Sequence, residues 1–326
     1  MMEYADVKAD SKPYCVVSIG DLVLDVILSV PQLPVKVAEH QILDGLQMEP
    51  GGAGNFLIAG ARLGMEMTAL APVGEDMFSQ ALVDMLVEEG VKVDGIMRQA
   101  NGSTTTVFVL EDNLHRHVFL GQYGQGSAVE FPTDWKKRIA AADILQLWGY
   151  SLHEERLVDC VLEAAAYARG QEKMVVFDPG PLLASASAAQ CKKLVACATV
   201  LLCTEEELVV LGTHCGVDPY PEAILTLGPS IVCVKLGQKG CKICTPDGII
   251  THAGYAVPVV DTNAAGDSFM AAFEYGLLSG WSMDAVAAFA NAMGAAKVQK
   301  FGSGRQVPNL NEVRKVLREF DVDIAI

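Results

Sequence analysis

The chain has 326 residues, enough to bury a sizeable core, and length alone suggests about two domains. It is 51% hydrophobic and 20% charged, with no low-complexity tract, which excludes a disordered, collagenous or coiled-coil protein. Its 24 basic and 40 acidic residues give a net charge of −16. That field repels nucleic-acid backbones but leaves room for an anion held by local backbone N–H groups.

Residues 1–13 read as a polar N-terminal tail without an apolar signal core. Tyr14–Gly20 is a short apolar run ending in glycine, a buried strand. Leu22–Val30 continues in the same vein until Pro31 and Pro34, and Ile42–Met48 alternates weakly. Gly51–Gly54 opens a helix from about Asn55 to Leu63, followed by a strand at Met67–Ala71 and a helix at Met77–Glu89. Thr104–Leu110 and His117–Leu120 flank the polar turn Glu111–Asn113 as a hairpin.

From about Asp143 strands and helices alternate: a helix at Glu154–Arg169, then strands at Met174–Asp178, Val200–Cys203 and Ile231–Lys235. Tyr255–Val260 reads as one more strand, and helical patterns follow at Ala264–Leu278, Met283–Lys300 and Leu310–Glu319. Alternating strands and helices imply a parallel sheet covered on both faces. The segments about 25–48 and 104–120 break the alternation and are expected to leave the core together as a small β lid.

The nine scattered cysteines read as reduced thiols. Cys241 and Cys244 have C-x-x-C spacing, but a strand puts them on opposite faces and no second pair follows, so no zinc site is expected. No apolar stretch approaches the ~18 residues of a membrane span. The protein is expected to be soluble and cytoplasmic, without membrane or nucleic-acid partners.

The most informative stretch is Asp261–Phe269, DTNAAGDSF. Small residues Ala264, Ala265 and Gly266 let a ligand approach the backbone, and the first N–H groups of the following helix form an anion pocket. Asp267, in the first helical turn, makes chemical sense if it takes a proton from a hydroxyl that attacks the bound anion. The plainer reading is a capped helix with a dipole-favoured carboxylate. Pro50–Asn55, PGGAGN, is a second glycine-rich helix start, and the amide of Asn55 suits a polyol. Asp21 and Asp25 lie at a strand's carboxyl end, where ligands of α/β sheets bind. Lys235–Gly240, KLGQKG, is either a nucleotide loop or a hairpin turn. Thr204–Glu207, TEEE, has the form of a capping box.

Taken in order, G-G-x-G-N followed about two hundred residues later by D-T-x-[GA]-A-G-D-x-F, the chain resembles the ribokinase-like (PfkB-type) family of carbohydrate kinases. The resemblance runs from about Tyr14 to Glu319 and implies an α/β fold: a three-layer α/β/α sandwich with a mostly parallel central sheet and a small β-sheet lid, built from residues 14–326. It implies ATP-dependent phosphorylation of a primary hydroxyl on a small sugar-like substrate. Asp267 would be the catalytic base, with Ala264, Ala265 and Gly266 forming the anion hole. Asp25, Gly51, Gly52 and Asn55 would hold sugar hydroxyls. Gly237 and Gly240, with Lys235, Thr204 and Asn291, would line the ATP site. Glu207 would organise Mg2+ through water, and Asp261, Asn263 and Gly302 match a region that binds a monovalent cation, K+, in some members.

Three departures bear on specificity. Thr204 replaces the asparagine of an N-x-x-E motif, and Ala264 replaces a glycine. Trp148 stands where ribokinases place a substrate-contacting glutamate, which argues against ribose. Arg116, in the lid hairpin, could meet a substrate carboxylate or phosphate. A nucleoside kinase of the same fold, with Trp148 or Tyr123 as a wall for the base, and a non-catalytic regulatory member are the alternatives. The first strand is not followed by G-x-G-x-x-G, and no G-x-x-x-x-G-K-[ST] occurs, which disfavours a dinucleotide enzyme and a P-loop kinase. An exposed lid edge would allow a homodimer.

Overall fold

The computed structural model describes residues 12–114 and 116–324; the sequence-predicted tail therefore lies almost wholly outside the described residues. The first half of the chain runs β1 (Cys15–Ile19), β2 (Leu22–Ser29), β3 (Gly45–Gly52), α1 (Ala53–Arg62), β4 (Glu66–Gly74), α2 (Met77–Glu88), β5 (Ile96–Gln99), β6 (Thr105–Glu111) and β7 (His117–Gln122). The regular part follows as α3 (Thr133–Ala141), β8 (Ile144–Trp148), α4 (Val158–Gly170), β9 (Met174–Asp178), α5 (Ala188–Cys197), β10 (Val200–Thr204), α6 (Glu205–Cys215), α7 (Pro221–Leu225) and β11 (Ile231–Lys235). The chain closes with β12 (Cys241–Thr245), β13 (Gly248–His252), α8 (Ala265–Leu278), α9 (Met283–Val298) and α10 (Leu310–Glu319).

Nine strands form one sheet in the order β13-β12-β11-β10-β9-β8-β1-β4-β5. Only β12 runs against the others, pairing antiparallel with β11 on one side and with the edge strand β13 on the other. The period of two along each strand sorts the core into two layers. Val16, Ile144, Val176 and Leu202 pack with α1, α2, α8, α9 and α10. Val17, Ile19, Leu145, Phe177 and Leu201 pack with α3 to α7. The result is the expected three-layer α/β/α arrangement.

The remaining strands form a second sheet, β3-β2-β6-β7, in which β2 is parallel to β6. One face of β2 (Leu22, Leu24, Val26) packs into the first core layer, so Asp25 and Ile27 face the other way.

Three expectations need correction. Tyr255–Val260 forms no strand. Its end is held by Val260 and Asp261 N–H groups donating to the Val298 carbonyl, and Pro258 has no N–H to give a ladder. The helix expected from Glu154 begins at Val158, because Glu154 and Arg156 turn inward as a buried ion pair. The weakly alternating strand expected at Ile42–Met48 is Gly45–Gly52, running on to the glycines before α1. Finally, β13, the short β5 and α3 were not anticipated; β5 has four residues and little alternation to read.

Candidate active site

Two helix N-termini meet where the sheets join. The chain leaves β3 through Gly51 and Gly52 directly into α1, and Gly51 is dictated by close approach: a Cβ there would lie 2.5 Å from both carboxylate oxygens of Asp25. The second terminus belongs to α8. Its N-cap is Ala264 at φ 59°, a left-handed conformation that costs a residue with a Cβ on the order of 1 kcal/mol. Ala265 N–H closes the turn by donating to the Thr262 carbonyl at 3.2 Å, which leaves the next first-turn amides of α8, those of Gly266 and Asp267, without intrahelical acceptors.

Asn55 bridges the two helices. Its Nδ2 donates to Asp267 Oδ2 at 2.8 Å and its Oδ1 accepts from the Gly304 N–H at 2.6 Å. The second bond decides the amide's orientation, since only the oxygen can accept. Burial pushes the Asp267 carboxyl up to about 6; Asn55 and Lys235 oppose the rise and the charge of Asp178 adds to it. Asp267 is thus still ionised at neutral pH, yet close enough to it to accept a proton from a hydroxyl.

Asp25 is 9% exposed, and burial pushes it up to about 7, with Ser303 opposing and the charges of Asp267 and Glu49 adding. The Ser303 hydroxyl donates to it at 3.3 Å. On the paired rung, Glu49 takes both Nε and Nη2 of Arg305 at 3.0 Å. The loop 302–306 therefore ties the small sheet to both helix starts.

The other flank is the carboxyl edge of β9, β10 and β11. Lys235 Nζ meets Asp178 Oδ2 at 2.6 Å, and a Cβ on Gly266 would be 3.7 Å from the same ammonium. Burial alone would lower the lysine; Asp178 and Glu207 outweigh it and hold the ammonium above its ordinary range. Thr204 and Glu207 form the capping box of α6: Thr204 N–H donates to Glu207 Oε2 at 2.8 Å and Glu207 N–H to Thr204 Oγ1 at 3.2 Å. One glutamate oxygen is thereby engaged. Burial, with Asp178 adding, raises the Glu207 carboxyl. Gly237 and Gly240 shape the β11–β12 turn with φ of 58° and 94°.

The structure thus gathers Asp25, Gly51, Gly52, Asn55, Ala264, Ala265, Gly266, Asp267, Thr204, Glu207 and Lys235 along one edge. Other expected residues have their polar groups engaged elsewhere. Trp148 is buried, its indole N–H donating to Ser18 Oγ at 2.8 Å and its ring edge-to-face with Phe56. Arg116 grips its own hairpin through Asp112 at 2.8 Å and the segment between β2 and β3 through the Leu33 carbonyl at 2.7 Å. Asn291 Nδ2 faces the Ala287 carbonyl at 2.9 Å, with His252 and Cys241 close by. Asp261 braces a loop, its two oxygens accepting from the N–H groups of Asn263 and Gly302 at 2.9 Å. That loop lines a cavity of about 360 Å³ against Ile27, Val109 and Phe119 of the small sheet.

Sequence reasoning missed Asp178, Ser303 and Gly304. Asp178 ends a buried strand, the same signal that singled out Asp21; the other two carry no local signal.

Residues 15–310 match the profile of the pfkB family carbohydrate kinases. The chain is 30% identical over 304 residues to an ATP-dependent ribose-1-phosphate kinase of Halopiger xanaduensis, covering 93% of this chain and 98% of that protein. It is 24% identical over 301 residues to a nucleoside kinase of Methanothermobacter thermautotrophicus, covering 91% and 94% respectively. Among solved structures, the Arabidopsis thaliana ribokinase complexed with ribose and ATP superposes with a TM-score of 0.80 at 24% identity, covering 94% of this chain and 99% of that one. With the profile matched over nearly its whole length, and with the fold and both helix starts in place, this chain belongs to the pfkB family of carbohydrate kinases.

Proposed function

We propose that the protein transfers the γ-phosphoryl group of ATP to a primary hydroxyl of a small sugar or sugar-derived substrate. The observation that carries this reading is Asp267: an ionised carboxylate, pushed up to about 6, set at the helix start whose Gly266 and Asp267 amides lack intrahelical acceptors. The carboxylate accepts the hydroxyl proton as the oxygen attacks the γ-phosphorus in line. The first-turn amides of α8 take up charge on the phosphoryl oxygens, and Lys235 stands beside them. Asp25 and the Gly51–Asn55 start of α1 hold the other hydroxyls. The small sheet acts as a lid that excludes water, which would otherwise consume ATP.

Mg2+ fits this edge as an ion held chiefly by phosphates and water. Glu207 keeps one carboxylate oxygen outside its cap, close to Asp178; bound Mg2+ would neutralise charge on the phosphates. Asp261, Asn263 and Gly302 form the loop we assign to a monovalent cation such as K+, where it would steady the turn leading into α8. Strand β7 is exposed along its length, Val118, Phe119 and Leu120 included, and pairs two copies through this edge.

A second reading, a nucleoside acceptor, is favoured by the apolar side of the 360 Å³ cavity, where Ile27, Val109, Phe119 and Phe301 would receive a base. ADP release from ATP and Mg2+, with and without K+, against sugars, sugar phosphates and nucleosides tests both. Turnover with a sugar or sugar phosphate supports the first reading, and turnover with nucleosides alone supports the second. ATP binding without turnover on any acceptor would overturn both in favour of a regulatory member.

A further inference from the structure

The chain crosses between the large sheet and the small one four times. One crossing, from β3 into α1, carries the glycines and Asn55 of the site. Two of the others converge directly on a single buried arginine that no part of the proposed chemistry uses. Arg156 is 6% exposed and lies just before α4. Its Nη1 donates to the Gln125 carbonyl at 2.8 Å, where the chain leaves β7, and lies 3.4 Å from the Ser103 carbonyl, where the chain enters β6. The same nitrogen reaches Gln99 Oε1 at 3.0 Å at the end of β5, and Nη2 reaches the Pro72 carbonyl of β4 at 3.5 Å, both on the large sheet. Nε is bound by the buried Glu154.

The remaining crossing, from β1 into β2, joins through Asp21. Its Oδ1 accepts from Thr105 Oγ1 at 2.7 Å, and that hydroxyl accepts from the Gly124 N–H at 2.7 Å. Burial pushes the Asp21 carboxyl well up, the charge of Glu154 adding to this and Arg156 opposing it. The backbone has been cleared for the guanidinium: a Cβ on Gly124 would lie 2.1 Å from Arg156 Nη2, and one on Gly126 would lie 1.9 Å from Gln99 Oε1.

We propose that Arg156 is a positioning residue for the transfer: it fixes how the small sheet stands on the large one, and so where Asp25 lies relative to Asp267. The inference rests on the kinase reading above. A planar fork with five donors can serve carbonyls of both sheets at once; a lysine cannot. Asp25 lies four residues beyond Asp21 on β2, so a change in the angle of the small sheet moves it directly.

The test uses Arg156→Lys and the double variant Arg156→Met with Glu154→Gln, which avoids leaving a buried acid unpaired. Amide hydrogen exchange is measured on the full chain without substrate. We expect β6 and β7 to exchange about tenfold faster or more while β8 to β11 stay protected. In turnover assays the acceptor KM rises, the ATP KM holds, and ATP hydrolysis without acceptor increases relative to transfer. A folded variant whose β6 and β7 exchange as in the wild type overturns the proposal, as does one with a faster-exchanging sheet but an unchanged acceptor KM. Absence of turnover in the wild type overturns the kinase reading instead, and exchange still judges the attachment of the small sheet.

Discussion

The two edges of the large sheet hold cavities of opposite character. At the amino edge, the starts of β9, β10 and β11 line a groove of about 530 Å³ with Arg169, Glu172, Lys173, Thr199 and Ser230. Its polar groups have routine work: Thr199 Oγ1 bridges the N–H and carbonyl of Val175, and Ser230 Oγ donates to the Thr199 carbonyl. At the carboxyl side, the cavity under the small sheet is smaller, about 360 Å³, but it adjoins an edge where Asp267, Asp25 and Glu207 are all raised by burial. There an alanine sits at φ 59° and a lysine is held by Asp178. Cavity volume alone would favour the amino edge. The function we propose rests instead on carboxylates kept where water cannot stabilise them, at a cost to stability.

The strongest attempt to break this contrast is Asp267→Asn. Loss of the proton acceptor should lower kcat by about 10²–10⁴ while ATP binding persists. The same substitution should raise stability. An ordinary aspartate in the unfolded chain titrates near 3.9, whereas the folded carboxyl titrates at about 6. Between those values the native state binds more protons, so stability falls as pH rises through the window and the loss persists at neutral pH. Removing the charge returns up to about 3 kcal/mol at pH 7.5 and little at pH 4. Denaturant unfolding at both pH values reads this. Near-normal turnover in the variant would put Asp267 outside the chemistry, whereas an equal loss of stability at both pH values would mean that burial does not raise its carboxyl.

Lys235→Met comes next. It leaves Asp178 buried beside Glu207 and Asp267 without a cation, a loss of about 3–5 kcal/mol for a broken buried pair. Lys235 also opposes the rise of Asp267, so its removal should move the acid limb of kcat/KM from near pH 6 to higher pH. If ATP KM alone rose and the acid limb stayed put, Lys235 would contact nucleotide without belonging to the electrostatic network of the base.

How much of this edge was legible in the sequence depends on the range of each interaction. Asp267 and Gly51–Asn55 were readable because helix starts have local chemistry: small residues, then a polar group in the first turn. The three-layer core was readable because short, near-continuous apolar runs in β8 to β11 alternate with helical patterns, the mark of parallel strands buried on both faces. The bond between Asn55 and Asp267 was not, since 212 residues separate them and neither sequence neighbourhood encodes the other. Ser303 and Gly304 were missed for the same reason. Tyr255–Val260 shows the converse failure: its local pattern suits a strand, but Pro258 cannot complete a ladder and the end of the segment is bonded to the Val298 carbonyl instead. Trp148 was assigned to the ligand site through its match to the ribokinase glutamate position; its ring lies in the core and its indole N–H is bonded to Ser18.

A smaller effect separates backbone from side chain within the anion pocket. Ala264→Gly removes the penalty of a Cβ at φ 59° and should stabilise the protein by about 0.5–1 kcal/mol, net of the entropy glycine adds to the unfolded chain. The N–H groups that would meet phosphate are unchanged, so kcat should hold within about twofold, a barrier change of under about 0.5 kcal/mol. Lower stability in this variant would show that the alanine methyl, which is buried in the core layer under α8, contributes more packing than the turn loses in strain.

The smallest effect is expected at the amino edge, and it sharpens the contrast most directly. Arg169 is exposed in the last turn of α4, where a cation complements the helix dipole. Arg169→Ala should therefore cost under about 0.5 kcal/mol in stability and leave kcat and both KM values unchanged. The substitution tests more than a surface charge. The groove it lines is the larger of the two cavities, and ligand sites are ordinarily sought in large concavities. A change in ATP or acceptor KM would mean that β9 or β10 transmits a signal from its start to Asp178 or Thr204 at its end, and the amino edge would then belong to the working part of the enzyme. Unchanged kinetics would leave the groove as the space between strand starts and helix ends that an α/β sheet of this width cannot fill, and would confirm that buried charge, rather than volume, locates the chemistry.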